Sequence, residues 1–198
     1  MRARDNPFAT ERVLRLRYQF REATEHGWPV LLDRLRSLNY RAAIVGPHGS
    51  GKTTLLEDLS KRLLAEGFRV HGVFLNEQDR AYPTDFVHRA GDVLTENDII
   101  LFDGCEQLGP FAWQRFRWQT RRAGGMVITM HHPGRLPTLR NCETNPELLA
   151  SLISQLPGQQ LLVPPDELHR LYEKHQGNLR EVLRELYDVV AREALRRV

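Results

Sequence analysis

Residues 46–53 read Gly46-Pro47-His48-Gly49-Ser50-Gly51-Lys52-Thr53, which fits the pattern G-x-x-x-x-G-K-[ST] at every position. Few folds are open to a chain with this octet, because each part works only between a strand and a helix. The glycines let the backbone curl into a cup of N–H groups suited to a polyphosphate. Lys52 reaches the β and γ oxygens, and the Thr53 hydroxyl is placed to ligand Mg2+. The following helix aims its positive end at the same anion. The expected nucleotide-contacting set is therefore Gly46, Pro47, His48, Gly49, Ser50, Gly51, Lys52, Thr53 and Thr54.

The flanks supply that context. Arg41-Ala42-Ala43-Ile44-Val45 is a short apolar run of the kind that forms a buried strand, and Leu55, Leu56, Leu59 and Leu63 then recur at helical spacing until Gly67. The pattern continues as alternating elements. Helices are expected over 29–38, 52–66, 83–90, 110–122, 146–156, 165–175 and 178–193. Strands are expected over 41–45, 70–75, 98–103, 126–130 and, fifth, Gln160 to Val163. Strands alternating with helices predict βαβ units and a parallel sheet covered on both faces. The last two helices follow one another with no strand between them and read as an appendage. The expected division is an N-terminal arm over 1–27, a core over 28–164 and a helical lid over 165–198.

Composition narrows the class. At 198 residues, with 41% hydrophobic and 27% charged residues, the chain suits one globular domain with a small addition. No apolar run approaches the roughly 20 residues needed to cross a bilayer, so no membrane partner is expected. The first residues are basic but lack the apolar stretch of a signal peptide. Two cysteines, Cys105 and Cys142, without metal-ligand spacing fit a reducing cytoplasm. The net charge of +3 permits a nucleic-acid partner without requiring one.

A phosphate loop needs a carboxylate at the end of an apolar strand to organise hydrated Mg2+. Ile99-Ile100-Leu101-Phe102-Asp103 meets that need, which makes Asp103 the second metal residue beside Thr53. With these residues the chain resembles the P-loop NTPases, specifically the additional-strand, catalytic-glutamate division that contains the AAA+ ATPases. The resemblance spans roughly residues 28–190, and the phosphate loop is its most specific part. It implies a three-layer α/β fold with a parallel sheet in the order 5-1-4-3-2, a short C-terminal lid, ATP and Mg2+ as ligands, and a protein partner or homo-oligomer. It places the Thr129 strand between the loop strand and the Asp103 strand, with Thr129 as the polar residue touching the attacking water or the γ-phosphate. The element Gly177-Asn178-Leu179-Arg180 resembles the lid of these ATPases and makes Arg180 the residue that reaches the γ-phosphate. Asn178 is also a good N-cap with Glu181 three residues on.

One departure matters. Members of the division carry Glu directly after the strand-end Asp, as the base that orients water, and here that position is Gly104. Glu106 is the next acid. It can reach the water if the turn Asp103-Gly104-Cys105 bends back, which Gly104 permits. The other reading is a slow nucleotide switch.

Other residues carry two readings each. His131, His132, Arg135 and Arg140 lie near the strand ends where ligands bind in such sheets, as phosphate sensors, arginine fingers or a polar surface loop. No further ligands stand near the His-His pair, which speaks against zinc. In the 110–122 segment Phe111 and Trp118 share one helix face and Trp113 and Phe116 the opposite one. One pair is expected to pack on the sheet, and the other needs a cover or contacts nucleic acid alongside the interleaved arginines. Phe8, Tyr18 or Phe20 would contact the base by resemblance.

The function these residues imply is an ATPase that couples Mg-ATP binding and hydrolysis to a change of shape. A kinase for a small molecule is the first alternative, with an acceptor pocket around Asn76-Glu77-Gln78-Asp79-Arg80. A non-hydrolysing module that binds nucleotide or DNA is the second. No guanine-reading N/T-K-x-D occurs, so ATP is the expected nucleotide.

Overall fold

A computed structural model describes residues 6–13, 27–90, 93–156 and 163–196. Its centre is a five-stranded sheet whose neighbouring strands all run parallel. The strands are β1 (Arg41–Val45), β2 (Arg69–Phe74), β3 (Asp98–Asp103), β4 (Gly125–Met130) and β5 (Thr138–Asn141), and they lie in the order β2-β3-β4-β1-β5. That is the three-layer order expected. The identity of the fifth strand is not. Gln160, Leu161 and Leu162 lie outside the described residues, and the edge position beside β1 is filled by Thr138–Asn141, which sequence placed in a loop. Only Leu139 in this strand is buried, and the register with β1 shifts between Ala43 and Ile44. A four-residue edge strand with one inward apolar side chain carries too little alternation to be read in advance.

The contacts divide the chain into two compact units, one gathering residues 20–46 and 51–142, the other 1–19, 47–50 and 143–198. The first unit holds the sheet. Alternate residues of each strand point to opposite faces. Ala43, Val45, Ile100, Phe102, Met126, Ile128 and Met130 form one face, packed with Val87 of α4 (Thr84–Ala90) and with Trp113 and Phe116 of α5 (Pro110–Gln119). Phe116 stacks edge-on against Phe102 at 5.0 Å. The opposite residues, Ala42, Ile44, Ile99, Leu101 and Val127, are also buried. Helix α3 (Lys52–Ala65) runs beside the sheet here and buries Leu55, Leu59 and Leu63. Arg34 of α2 (Trp28–Ser37) ties the edge by donating to the Thr138 carbonyl at 2.8 Å. Burying each leucine contributes about 2 kcal/mol, so the leucine spacing of α3 is enough to dock it.

The second unit is helical: α1 (Thr10–Val13), α6 (Pro146–Ser154), α7 (Pro165–Lys174) and α8 (Leu179–Arg196). Its core joins Leu149, Leu156, Leu168, Leu171, Leu179, Val182, Leu183, Leu186 and Val190 with Phe8. Phe8 is fastened there by its neighbour. The Asn6 carboxamide accepts from the Phe8 N–H and donates to the Tyr187 carbonyl, each at 2.9 Å. Phe8 is thus a core residue of the helical unit, whereas Tyr18 and Phe20 lie outside the described residues. Asn145 caps α6 by accepting from the Leu148 N–H at 2.7 Å. The turn into α8 is held by Thr144, whose hydroxyl donates to the Gly177 carbonyl, and by Tyr172, whose hydroxyl donates to the Thr144 carbonyl.

Candidate functional site

In the sheet unit the site grows from three adjacent strand ends. Beyond β1 the Gly46 N–H donates to the Met130 carbonyl at 3.1 Å, which anchors the start of the phosphate loop to β4. Where the chain re-enters this unit, Lys52 opens α3. Its side chain is buried and its ammonium donates to the Gly46 carbonyl at 2.7 Å. Thr53 follows, and its hydroxyl donates to Asp103 Oδ2 at 2.8 Å. Asp103 closes β3, and its Oδ1 accepts from the Thr129 hydroxyl of the adjacent β4 at 2.5 Å. The Thr129 oxygen in turn accepts from the Gly104 N–H at 2.9 Å. The result is one hydrogen-bonded line, Thr53 to Asp103 to Thr129 to the Gly104 backbone, at the carboxyl ends of β3 and β4. Strand order makes the line: β4 lies between β1 and β3, as the resemblance implied for Thr129.

This donor set fits a magnesium ion with a nucleotide. With its proton directed to Asp103, the Thr53 oxygen has lone pairs left for a hard cation, and the free lone pairs of Asp103 suit the waters that Mg2+ keeps.

The departure at position 104 has a steric cause. Gly104 has φ of +76°, and a Cβ built on it stands 2.0 Å from the Leu75 carbonyl oxygen. No side chain, glutamate included, enters there without moving the β2 exit. From Gly104 the chain winds into a short 3-10 turn, Cys105–Gln107, that carries Glu106. Glu106 Oε1 lies 3.2 Å from His131 Nε2, and Oε2 is buried with no hydrogen-bond partner among the described residues. Arg135 holds the turn from beneath. Its guanidinium donates to the Cys105 carbonyl at 2.6 Å and to the Leu108 carbonyl, and lies over the Trp113 ring. Arg135 is therefore occupied as a clamp, not extended as a finger. Burial pushes the Cys105 thiol up to about 11, against a smaller opposing effect of Arg135, so it stays protonated and unreactive at neutral pH.

Sequence reading missed both partners of this turn. A signal existed for His131: residues two apart on a strand point the same way, so a Thr129 that reaches the Asp103 turn brings His131 with it. Nothing local foretells the Arg135 clamp. Asn76, in the segment expected to line an acceptor pocket, accepts from the Gln78 and Asp79 N–H groups and closes an exposed turn.

In the helical unit the loop tip, Pro47–Ser50, lies against the start of α8. Gly49 has φ of +70°, and a Cβ on it falls 2.0 Å from Asn178 Oδ1 and 3.0 Å from the Arg180 backbone nitrogen. Asn178 caps the helix as expected, accepting from the Glu181 N–H at 3.3 Å. Arg180, the second residue of that helix, is exposed. Ser50 is buried, and its hydroxyl has no hydrogen-bond partner among the described residues. Pro47 and His48 are exposed, and Thr54 of α3 is half-buried.

The strand order and this arrangement of strand ends are those of a three-layer α/β P-loop NTPase fold. Among solved structures the chain is similar to RuvB of Thermotoga maritima in a lysine-to-arginine mutant, with a TM-score of 0.56, 13% identity, and coverage of 87% of this chain and 65% of that one. A threonine-to-valine mutant of the same protein matches with a TM-score of 0.50 and 15% identity over 80% of this chain and 58% of that one. This chain spans less than two thirds of the length of either, and at these identities the likeness is one of fold. No protein-family model and no curated protein sequence matches it. No helix among the described residues is long and apolar enough to cross a membrane.

Proposed function

We propose that this protein is an AAA+-like ATPase that binds Mg-ATP and couples its hydrolysis to a change of shape felt by a protein partner or by further copies of itself. The observation that carries the reading is the line from Thr53 through Asp103 to Thr129, set beside a phosphate loop with every residue of its pattern present. In this reading residues 46–54 hold the phosphates, with Lys52 on the β and γ oxygens. Thr53 and Asp103 hold the Mg2+, which neutralises charge on the transferred phosphoryl group. Glu106 accepts the proton of the attacking water, oriented by His131. Its unpartnered Oε2 supports that role, since a buried carboxylate oxygen is costly unless something donates to it. Thr129 steadies the water and Arg180 reports the γ-phosphate to the lid.

The test is steady-state phosphate release with nucleotide binding measured alongside. Lys52→Ala is expected to lose binding. Glu106→Gln is expected to bind ATP as the wild type does and to turn over about 10²- to 10⁴-fold more slowly, the usual contribution of a general base. Full turnover in Glu106→Gln removes the base assignment. Tight binding without any phosphate release by the wild type, even with partners added, replaces the ATPase with a nucleotide-dependent switch. Turnover only with an acceptor would make it a kinase.

A further inference from the structure

Helix α5 presents two pairs of aromatic residues, and only one pair is used by the fold. Trp113 and Phe116 are 4% and 0% exposed, while Phe111 and Trp118 are 92% and 65% exposed. Phe111, Gln114, Arg115 and Trp118 share one stripe of the helix. The two exposed rings stand seven residues apart, about 10 Å along the axis. Leaving two large rings in water is costly, and their neighbours tell what suits them.

Those neighbours include a cluster of arginines. From Gln107 to Cys142 the sequence contains no Asp or Glu and six Arg. Among the described residues none of Arg115, Arg117 and Arg121 pairs with a carboxylate. Each lies over a ring instead, Arg115 at 4.9 Å from Tyr82, Arg117 at 5.8 Å from Trp113 and Arg121 at 4.7 Å from Trp118. Arg41 of β1 comes up beside them, donating to the Ala123 carbonyl at 2.6 Å and to the Arg121 carbonyl at 3.5 Å. Its guanidinium is held below the usual range, first by burial and then by repulsion from Arg117. Positive charge is thus crowded on this helix.

We infer that the exposed face of α5, built from Phe111, Arg115, Trp118 and Arg121 with Arg117 at its margin, binds a single-stranded polynucleotide. Each nucleotide offers one phosphate and one flat π-face, and this face alternates cations with rings in the same way. An acidic peptide would neutralise the arginines but leave Phe111 and Trp118 without a counterpart. Paired bases hide their faces in the stack, so a duplex satisfies the arginines alone. Recognition through phosphate and base face also ignores the sugar, so DNA and RNA strands are equivalent ligands. None of these residues belongs to the set assigned to the nucleotide, and the inference does not rest on the ATPase reading.

Fluorescence anisotropy of the full chain with a labelled oligothymidylate of roughly 20 nucleotides tests this, without ATP, between about 50 and about 200 mM NaCl. Binding is expected to weaken steeply with salt. Phe111→Ala and Trp118→Ala should each lower affinity about tenfold or more, while Trp118→Phe, which keeps a ring, should stay within about threefold. Arg115→Gln and Arg117→Gln should each reduce the salt slope by about one. Oligouridylate of the same length should bind comparably, and a duplex more weakly. Circular dichroism and melting temperature confirm that these surface variants are folded. The inference is overturned by absence of binding, by alanine variants that bind as the wild type, or by polyglutamate displacing the strand equally well at equal charge. It is also overturned if Phe111→Ala/Trp118→Ala only dissociates an oligomer, which would assign the face to a second copy.

Discussion

Position 104 is where the residue scale is most instructive, because a single atom decides it. In the division this chain resembles, the strand-end Asp is followed by Glu, yet a Cβ at 104 meets the Leu75 carbonyl oxygen at 2.0 Å and the backbone there is left-handed. The next carboxylate in the chain, Glu106, lies two residues later on a turn that Arg135 clamps, facing His131. Gly104→Ala is expected to destabilise the protein by at least about 2 kcal/mol, combining left-handed strain with displacement of the β2 exit; urea denaturation measures it. Gly104→Glu in a Glu106→Gln background should not restore turnover, because the backbone that would present the new carboxylate is the one it disrupts. Recovery of phosphate release in that double variant would contradict the steric argument.

Between elements, the β2–β3 pair depends on a buried charge. Asp98 faces Arg69 across the register, accepting from its guanidinium at 2.6 and 2.9 Å, and it meets His71 Nε2 at 2.7 Å and the N–H and hydroxyl of Thr95. The Arg69 hydrogen bonds, with further help from His71 and Thr95 and against the cost of burial, hold this carboxyl well below the usual carboxylate range. An Asp whose folded pKa lies below its unfolded value of about 3.9 stabilises the fold fully above that pH, and the contribution is lost as pH falls below it. Asp98→Asn should therefore cost about 2–4 kcal/mol at pH 7, and its gap from the wild type should shrink below about pH 4. Denaturation curves at both pH values check this; a gap independent of pH would mean that the ion pair is not its source. Much of the element pattern was legible because the helices carry leucines at their own period and the inner strands are continuous apolar runs. β5 escaped because an edge strand needs only one buried residue, Leu139.

At the scale of the whole molecule, the chain leaves the sheet unit after Gly46, spends Pro47–Ser50 in the helical unit and returns at Gly51. In the proposed ATPase, saturating Mg-ATP at about 100 times its Kd is expected to add about 2.7 kcal/mol, which for a protein of this size raises Tm by roughly 5–10 °C. Lys52→Ala should abolish the shift while leaving the unliganded Tm within about 2 °C. A shift that survives in Lys52→Ala would place the nucleotide elsewhere.

By itself the sequence determined the phosphate loop, the strand-end Asp103, the alternation of strands and helices, and the capped start of α8. These are local: each depends on residue types within a few positions, where glycine conformation, hydrophobic period and side-chain capping act. Tertiary structure decided the rest. It chose Thr138–Asn141 for the sheet edge, paired Glu106 with His131, turned Arg135 into a clamp and buried Phe8 among helices. It also settled which aromatic pair of α5 faces the sheet, leaving Phe111 and Trp118 outward. Such choices depend on which distant strand ends become neighbours, and an order with β4 between β1 and β3 is written in no single stretch of chain.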